Sequence, residues 1–250
     1  MSKLESFLQL IRTEFDDDRL TYQKAIPTFH PESAGEAARL FQLANKENQP
    51  LFITGFGNNL DPQGEKFAHV VSVRTDRLNQ IVELAPDDYY ITVGGGYPLR
   101  EINKRLKEVG LWLPHGNLPY VGSAGGAIAC DLSSDYQGHD LPLKKYFIKA
   151  EIVTPEGEII TPGSTCFKSV SGYDIVKIFT GSWGLLGLVV SATFRVMPET
   201  GAADYGSIKQ KEIARDHLLR ALDQNNDDTD AIYSRKIKNK FDPNSILPFI

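Results

Sequence analysis

The residues of this 250-residue chain with the clearest chemical potential lie in glycine-bearing loops. The first such loop follows a short apolar run and mixes glycines with polar residues. Successive backbone N–H groups in a loop of this kind can form a concavity that binds an anion, and a pyrophosphate group fits it. We therefore predict ligand contacts from Thr54, Gly55, Phe56, Gly57, Asn58, Asn59 and Leu60.

A second segment, Gly122 to Ala129, has the order Gly-Ser-Ala-Gly-Gly-Ala-Ile-Ala. Small side chains over this length allow the backbone to lie directly against a flat ligand. A third segment places Gly181, Gly184 and Gly187 before Leu188 to Val196, a β-branched run that predicts a buried strand. Glycine-rich turns also precede core strands in proteins without ligands, so these glycines alone leave a structural role open.

Other kinds of catalytic site find little support in the sequence. The five histidines lack a His-Glu-x-x-His or comparable spacing, so we predict no metal site. Cys130 and Cys166 form no Cys-x-x-Cys pair, which argues against a disulfide framework and an iron–sulfur centre. The glycines Gly55 and Gly57 lack the third glycine of a Rossmann motif, and Asp61-Pro-Gln-Gly interrupts the helix that this motif requires. Local motifs therefore assign no catalytic residue.

The composition is that of a globular protein without a nucleic-acid partner. A formal net charge of −5 and a pI near 5.6 come without the basic stripe typical of nucleic-acid binding. The first residues mix charged and apolar side chains at helical spacing, which predicts neither a signal peptide nor a membrane span. We therefore expect a soluble, cytoplasmic protein, and a hydrophobic content of 41% suffices for a packed core.

Local patterns predict helices and strands that alternate around these loops. Ser33 and Glu36 form a capping box ahead of an apolar stripe, which predicts a helix from Ala34 to Lys46. A second helix is predicted from Pro98 to Val109, with Gly110 as its stop. Further predictions are strands at 51–54, 69–73 and 90–93, a hairpin across 147–161, and a helix at 208–222.

The stretch from Val170 to Pro198 resembles the signature of one flavoenzyme superfamily. It contains Gly-Tyr-Asp, a Gly-Ser-x-Gly-x-Leu-Gly turn and a closing strand, in the order found in FAD-binding domains of the vanillyl-alcohol-oxidase/p-cresol-methylhydroxylase type. Within that superfamily the chain is similar to the glycolate oxidase and D-lactate dehydrogenase group. Its end, Ile237 to Pro248, resembles the Lys-x-x-Phe-Asp-Pro stretch with which such chains commonly close.

The resemblance implies an α+β fold of two subdomains that clamp FAD between the glycine-bearing segments. It divides the chain into an FAD-binding domain at 1–198 with subdomains of about 1–95 and 96–198, a helical remnant or linker at 199–236, and a packed tail at 237–250. The substrate-binding cap domain of the superfamily is accordingly absent or vestigial. The implied FAD contacts beyond the first loop are Gly122, Ser123, Gly125, Gly126, Ala129, Ser133, Gly187, Leu188 and Val189.

The resemblance also implies how FAD is held. Members that bind FAD covalently use a histidine in the first loop and, in some cases, a cysteine in the second. Asn58 and Leu118 occupy those positions here, so non-covalent FAD is expected.

The activity that the resemblance implies is oxidation of a 2-hydroxy acid such as glycolate or D-lactate, with electrons passing from FAD to a partner subunit. Two alternatives stay open. One is a capless flavoprotein that relays electrons or scaffolds an assembly and has no substrate site. The other is an oxidase of sugar-like alcohols, because Gly125 to Asp131 is also similar to decaprenylphosphoryl-ribose oxidase relatives.

Without a cap, the reactive face of the flavin would be exposed or covered by another chain. We therefore expect a protein partner or self-association over Tyr97, His115 and the Ser133 to His139 loop, with the Ile208 to Leu222 helix beside it. A lone histidine or tyrosine in a loop commonly has a structural role, so no catalytic residue is assigned among those that could face the flavin: Tyr97, His115, Tyr136 and His139.

Overall fold

The structure is a computed structural model that describes residues 2–58, 62–136, 138–165, 175–199, 208–213, 223 and 225–248, apart from the side chain of residue 136. Its α-helices are α1 (Lys3–Glu14), α2 (Ala34–Glu47), α3 (Ile102–Lys107), α4 (Ala124–Ala129) and α5 (Thr229–Phe241). Its strands are β1 (Leu20–Gln23), β2 (Ile26–Phe29), β3 (Leu51–Thr54), β4 (Val71–Arg74), β5 (Ile81–Ala85), β6 (Tyr90–Gly94), β7 (Leu111–Trp112), β8 (Ser133–Tyr136), β9 (His139–Pro142), β10 (Phe147–Val153), β11 (Ile159–Ile160), β12 (Leu188–Arg195), β13 (Met197–Pro198) and β14 (Ile208–Gln210). Within these residues, no helix combines the length and the apolar character that a bilayer crossing needs.

The first sheet has the strand order β1-β2-β4-β3 and positions the first glycine loop. Strands β2, β4 and β3 run parallel, whereas β1 pairs antiparallel with β2. Thr54 at the end of β3 pairs with Arg74 at the end of β4, so Gly55 and Thr75 leave the sheet side by side. Ligands commonly bind beyond the carboxyl ends of parallel strands, which is where both residues lie.

The second sheet is antiparallel, in the order β11-β10-β12-β6-β5. The predicted hairpin is present as β10 and β11, and Gly157 in its turn has a φ of +80°. Thr92 on β6 and Thr193 on β12 share a buried hydrogen bond of 2.9 Å between their hydroxyl groups. A subdomain boundary near residue 95 would separate β6 from β12, its partner in this sheet, whereas the change from the first sheet to the second falls between β4 and β5.

Helix α2 confirms the predicted helix. Its apolar side chains belong to a core that also contains residues from both sheets. The Ser33 hydroxyl accepts the Glu36 N–H at 3.2 Å, but the Glu36 carboxylate accepts from the Glu32 N–H, so the capping box is only half formed. Leu40 and Phe41 are fully buried in a cluster that also contains apolar residues from β4, β10 and β12.

Two predicted helices differ from the structure. In place of a continuous helix from Pro98, a 3-10 turn at Leu99–Glu101 leads into α3, and Gly110 ends this segment with a φ of +69°. The helix predicted from Ile208 is wrong at its start, because β14 pairs there with β8, in a sheet of order β14-β8-β9. Ile208 packs against the core, and Lys209 lies opposite Asp135, so tertiary contacts outweigh the helical spacing. Residues 214–222 lie outside the described part of the chain.

The segment that follows α5 packs against the strand that leads to the first glycine loop. The Asp242 side chain is buried, and its carboxylate accepts the N–H groups of Ile246 at 2.8 Å and Leu247 at 2.9 Å. The same carboxylate pairs with the ammonium group of Lys238. The Ile246 carbonyl then accepts the N–H of Leu51, the first residue of β3, at 2.8 Å. The buried carboxylate therefore fixes a turn that holds the tail against β3.

Candidate functional site: a backbone-lined cleft

A cleft enclosing about 710 Å³, including space open to solvent, lies where the three glycine-bearing segments meet. The predicted contacts that line it are Thr54, Gly55, Phe56, Gly57, Asn58, Gly122, Ser123, Gly125, Gly126, Ala129, Gly187 and Val189. The sequence did not predict contacts from the other lining residues, which are Ile53, Thr75, Tyr120, Cys130, Ser182, Trp183 and Gly184.

Of the four remaining predicted contacts, two are described and do not line this cleft, and two lie outside the described residues. Leu188 is fully buried in the core formed with the first sheet and does not line it. Ser133 lies on β8, where its hydroxyl donates to the Asp140 carboxylate at 3.0 Å. Asn59 and Leu60 lie outside the described residues, as do Cys166 and the Gly-Tyr-Asp part of the signature.

The first wall is the loop that leaves β3. A Cβ atom added at Gly55 would lie 2.6 Å from the Ser123 hydroxyl oxygen, so this loop touches the second segment directly. Gly57 has a φ of +79°, a conformation that a side chain rarely adopts. The Asn58 side-chain amide donates to the Val121 carbonyl, which ties the end of the loop to the second segment.

The second wall is the start of α4. The Ser123 hydroxyl caps this helix by accepting the Gly126 N–H at 3.1 Å. The Gly125 N–H donates to the Gly95 carbonyl at 2.8 Å, and a Cβ added at Gly125 would lie 2.9 Å from that oxygen. Glycine is required here because the helix approaches the Gly94–Gly96 turn too closely for a side chain, and that turn itself has a structural role.

The third wall is the turn ahead of β12. Trp183 has a φ of +52°, which is unusual for a bulky residue, and its N–H donates to the Ala129 carbonyl at 2.9 Å. The Gly181 N–H donates to the Ile128 carbonyl at 3.0 Å, so this turn is fastened to the end of α4. Gly187 has a φ of +145°, and a Cβ there would lie 2.6 Å from the Val153 carbonyl oxygen. Backbone contacts therefore hold the third wall against the end of α4, and at Gly187 this wall closely approaches β10.

The described lining of the cleft contains no charged side chain. Its polar groups are hydroxyls, one amide, one thiol, one indole and backbone N–H groups. Burial raises the pKa of Cys130 to about 12, so the thiol stays protonated and is not a nucleophile at neutral pH. Within the described chain, the N–H groups of Gly55, Phe56 and Gly57 donate to no backbone carbonyl, which leaves them available to an anion.

The structure corrects the expected role of His115 in a partner surface. This residue is only 1% exposed, and its Nε2 lies 2.8 Å from the Leu141 carbonyl while its ring packs against Tyr146. His115 is therefore a core residue and lines neither the cleft nor a surface. His139 is exposed on β9, Tyr97 is partly buried against the core, and neither lines the cleft. The side chain of Tyr136 lies outside the described residues.

Because His115 is buried, stability should depend on pH through this residue. Burial lowers its pKa to about 4 from the ordinary histidine value of 6.5. The depressed folded-state pKa contributes stability that is present above pH 6.5 and is lost as the pH falls towards 4. Between pH 7 and pH 5 we expect wild type to lose about 2 kcal/mol more unfolding free energy than His115→Gln, measured by urea denaturation. Exposed His139→Gln should behave as wild type, and an equal loss in His115→Gln would contradict the assignment.

The residues present in the cleft fit FAD. The cleft joins uncharged N–H donors to apolar side chains such as Phe56 and Val189, a combination that suits a charged diphosphate attached to flat aromatic rings. The buried Thr75 hydroxyl, whose residue lines the cleft, finds no hydrogen-bond partner among the described residues. These residues would hold the cofactor mainly through backbone groups.

The comparisons with known proteins agree with this fit. Residues 27–163 match the family model described as "FAD binding domain", which is more than half of the chain. The chain therefore belongs to this FAD-binding domain family, and FAD is the cofactor. The predicted superfamily and α+β fold are confirmed.

Several curated proteins are similar to this chain. D-lactate dehydrogenase of Archaeoglobus fulgidus is 24% identical over 68% of this chain and 38% of its own length. The glycolate oxidase subunit GlcD of Bacillus subtilis is 26% identical over 78% of this chain and 44% of its own length. The glycolate oxidase subunit GlcE of Escherichia coli is 28% identical over 64% of this chain and 46% of its own length. The chain thus spans less than half the length of these relatives.

The fold is also found among solved structures. Alkyldihydroxyacetonephosphate synthase superposes with a TM-score of 0.62 over 78% of this chain and 40% of that protein, at 21% sequence identity. At this identity the match shows the fold and carries no statement about the reaction.

Proposed function

We propose that the chain is the FAD-binding part of a flavin-dependent oxidoreductase that oxidises a 2-hydroxy acid, with glycolate and D-lactate as the first candidates. The observation that carries this proposal is the convergence of three glycine-bearing walls on one cleft that fits FAD. Relatives named D-lactate dehydrogenase and glycolate oxidase subunit support the substrate class. We further propose that FAD is bound without a covalent link and that the protein acts in the cytoplasm.

The described residues suggest how the cleft would work. Bound FAD supplies a ring that accepts a hydride from the carbon bearing the substrate hydroxyl. The N–H groups of Gly55 and Gly57 would hold the diphosphate, while the small residues at Gly125 and Gly126 allow the backbone to approach the cofactor. Apolar lining from Val189 excludes water, which strengthens the electrostatic interactions inside the site.

A partner subunit is part of the proposal. GlcD and GlcE are both named as subunits, and we propose that this chain likewise passes electrons to a second protein. The surface expected from the sequence needs revision, because His115 is buried and Ile208–Gln210 is a strand of the same fold.

A second candidate function has one observation in its favour. The described cleft lining has no cationic side chain that could bind a substrate carboxylate and no histidine or carboxylate that could take the hydroxyl proton. This favours a flavoprotein that relays electrons or scaffolds an assembly and has no substrate site of its own.

One experiment separates the two candidates. We expect the purified protein to be yellow, to release its FAD into the supernatant on acid precipitation, and to lose its flavin absorbance when glycolate or D-lactate is added without oxygen. L-lactate serves as the stereochemical control. Yellow colour left in the pellet would contradict non-covalent binding, and no bleaching by any 2-hydroxy acid would favour the relay role. Folded protein that neither contains nor takes up FAD would exclude both.

A further inference from the structure

Thr75 has a buried hydroxyl without a hydrogen-bond partner. The residue follows β4 and is only 4% exposed, and its Oγ1 contacts no donor or acceptor among the described residues. Buried polar groups without a partner are rare because they have given up their bonds to water. Several described polar atoms are buried and lack a hydrogen-bond partner. Among them, Thr75 Oγ1 is the one whose residue lines the cleft.

We infer that the Thr75 hydroxyl is a cofactor contact that donates a hydrogen bond to the diphosphate of FAD. The inference rests on the proposed function, since it requires that the cleft hold FAD. In the bound protein, the hydroxyl gains the partner that the described chain does not supply.

The position of Thr75 favours the diphosphate over the rings. Its N–H donates to the Thr54 carbonyl at 3.2 Å, so Thr75 lies directly beside the loop that begins at Gly55. That loop offers backbone N–H groups that donate to no backbone carbonyl of the described chain. Because no charged side chain occurs in the described lining, a diphosphate there depends on neutral donors, and a hydroxyl next to the loop adds to that set.

Another hydroxyl of the cleft is already engaged. The Ser123 hydroxyl accepts the Gly126 N–H and so caps α4. Thr54 also has an interaction within the protein. Thr75 therefore offers a hydrogen bond to a ligand at no loss to the protein's own contacts.

Ser72 provides a matched control on the same strand. It is 1% exposed, its hydroxyl also lacks a partner among the described residues, and it does not line the cleft. Ser72→Ala removes a buried, unpartnered hydroxyl in the same way that Thr75→Val does, but at a site without cofactor.

The test measures binding of FAD, ADP and riboflavin to the apoprotein by fluorescence titration and competition, together with apoprotein melting temperatures. We expect Thr75→Val to weaken FAD and ADP about tenfold or more and to leave riboflavin unchanged, since hydrogen bonds to charged groups are the strong ones. Valine matches threonine in shape, and the hydroxyl it removes is unpaired, so the apoprotein should melt at the same or a higher temperature. Ser72→Ala should bind all three ligands as wild type does.

The outcomes are distinguishable. Wild-type protein that fails to bind FAD would defeat the proposed function itself. If wild type binds FAD and Thr75→Val binds it equally well, the inference is overturned. It is also overturned if only riboflavin binding falls, because the hydroxyl would then contact the ring, or if Ser72→Ala loses as much FAD affinity as Thr75→Val.

Discussion

Gly57→Val should abolish FAD binding, raising the dissociation constant at least 100-fold. Gly57 lines the cleft with a φ of +79°, so a β-branched residue strains the backbone of the loop that forms the first wall. Strain of this kind costs about 1–3 kcal/mol of folding stability, which a protein of this size can survive. Flavin fluorescence titration measures the affinity, and denaturant unfolding of the apoprotein measures the stability.

Gly110→Val is the matched control for this prediction. Gly110 has a φ of +69°, lies after α3 away from the cleft, and has no atom within 4 Å of where its Cβ would be. It should suffer a similar loss of stability and retain wild-type FAD affinity. If both variants lose FAD to the same degree, the cause is general destabilisation and the role assigned to the Gly57 loop is wrong.

The parts of the fold that sequence patterns predicted are those that local chemistry determines. Helix α2 follows from an apolar stripe behind Ser33, and the β10–β11 hairpin follows from strand residues on either side of a Pro-Glu-Gly turn. Each pattern involves residues close in the chain, so each can be read without knowing the tertiary contacts.

The failures have a common physical cause. The sequence predicts a helix that starts at Ile208, yet this residue forms a strand because β8 offers an unpaired edge. His115 was predicted to lie on a partner surface beside the flavin, but its ring is buried against Tyr146. In both cases a distant segment determines the outcome, and no local pattern contains that segment.

The candidate site was partly predictable for the same reason. Glycine-bearing loops can be recognised from composition alone, and most of the contacts predicted from them line the cleft. Thr75, Tyr120 and Trp183 carry no motif of their own, and they reach the cleft only because their strands or turns end there. The positive φ of Trp183 is visible in the structure alone.

Asp242→Ala should destabilise the protein by about 3–5 kcal/mol, the usual cost of removing one partner of a buried ion pair. Its carboxylate accepts the N–H groups of Ile246 and Leu247 and pairs with Lys238, whose ammonium also donates to the Leu185 and Leu247 carbonyls. Desolvation already lowers the pKa of Lys238, and the loss of the carboxylate leaves that charge less well compensated. Urea denaturation at pH 7 measures the loss.

Two further variants show how much of this loss of stability comes from the buried charges. Asp140→Ala removes an exposed carboxylate that pairs with Lys211 at 3.0 Å, and it should reduce stability far less than Asp242→Ala does, because solvent screens an exposed ion pair. The double variant Lys238→Met with Asp242→Leu removes both buried charges and should recover part of the stability lost in Asp242→Ala, because apolar groups pack without a desolvation cost. Full recovery is not expected, since the two N–H groups remain without their acceptor.

Release of the tail after α5 should also weaken FAD binding. Its Ile246 carbonyl accepts the N–H of Leu51, and β3 runs from Leu51 directly into the Gly55 loop, so release of the tail loosens one wall of the cleft. We therefore expect Asp242→Ala to bind FAD more weakly than Asp140→Ala at a temperature where both are folded. Equal FAD affinity would show that β3 holds the loop without the tail, and equal stability would show that the Asp242 carboxylate has no special role in the fold.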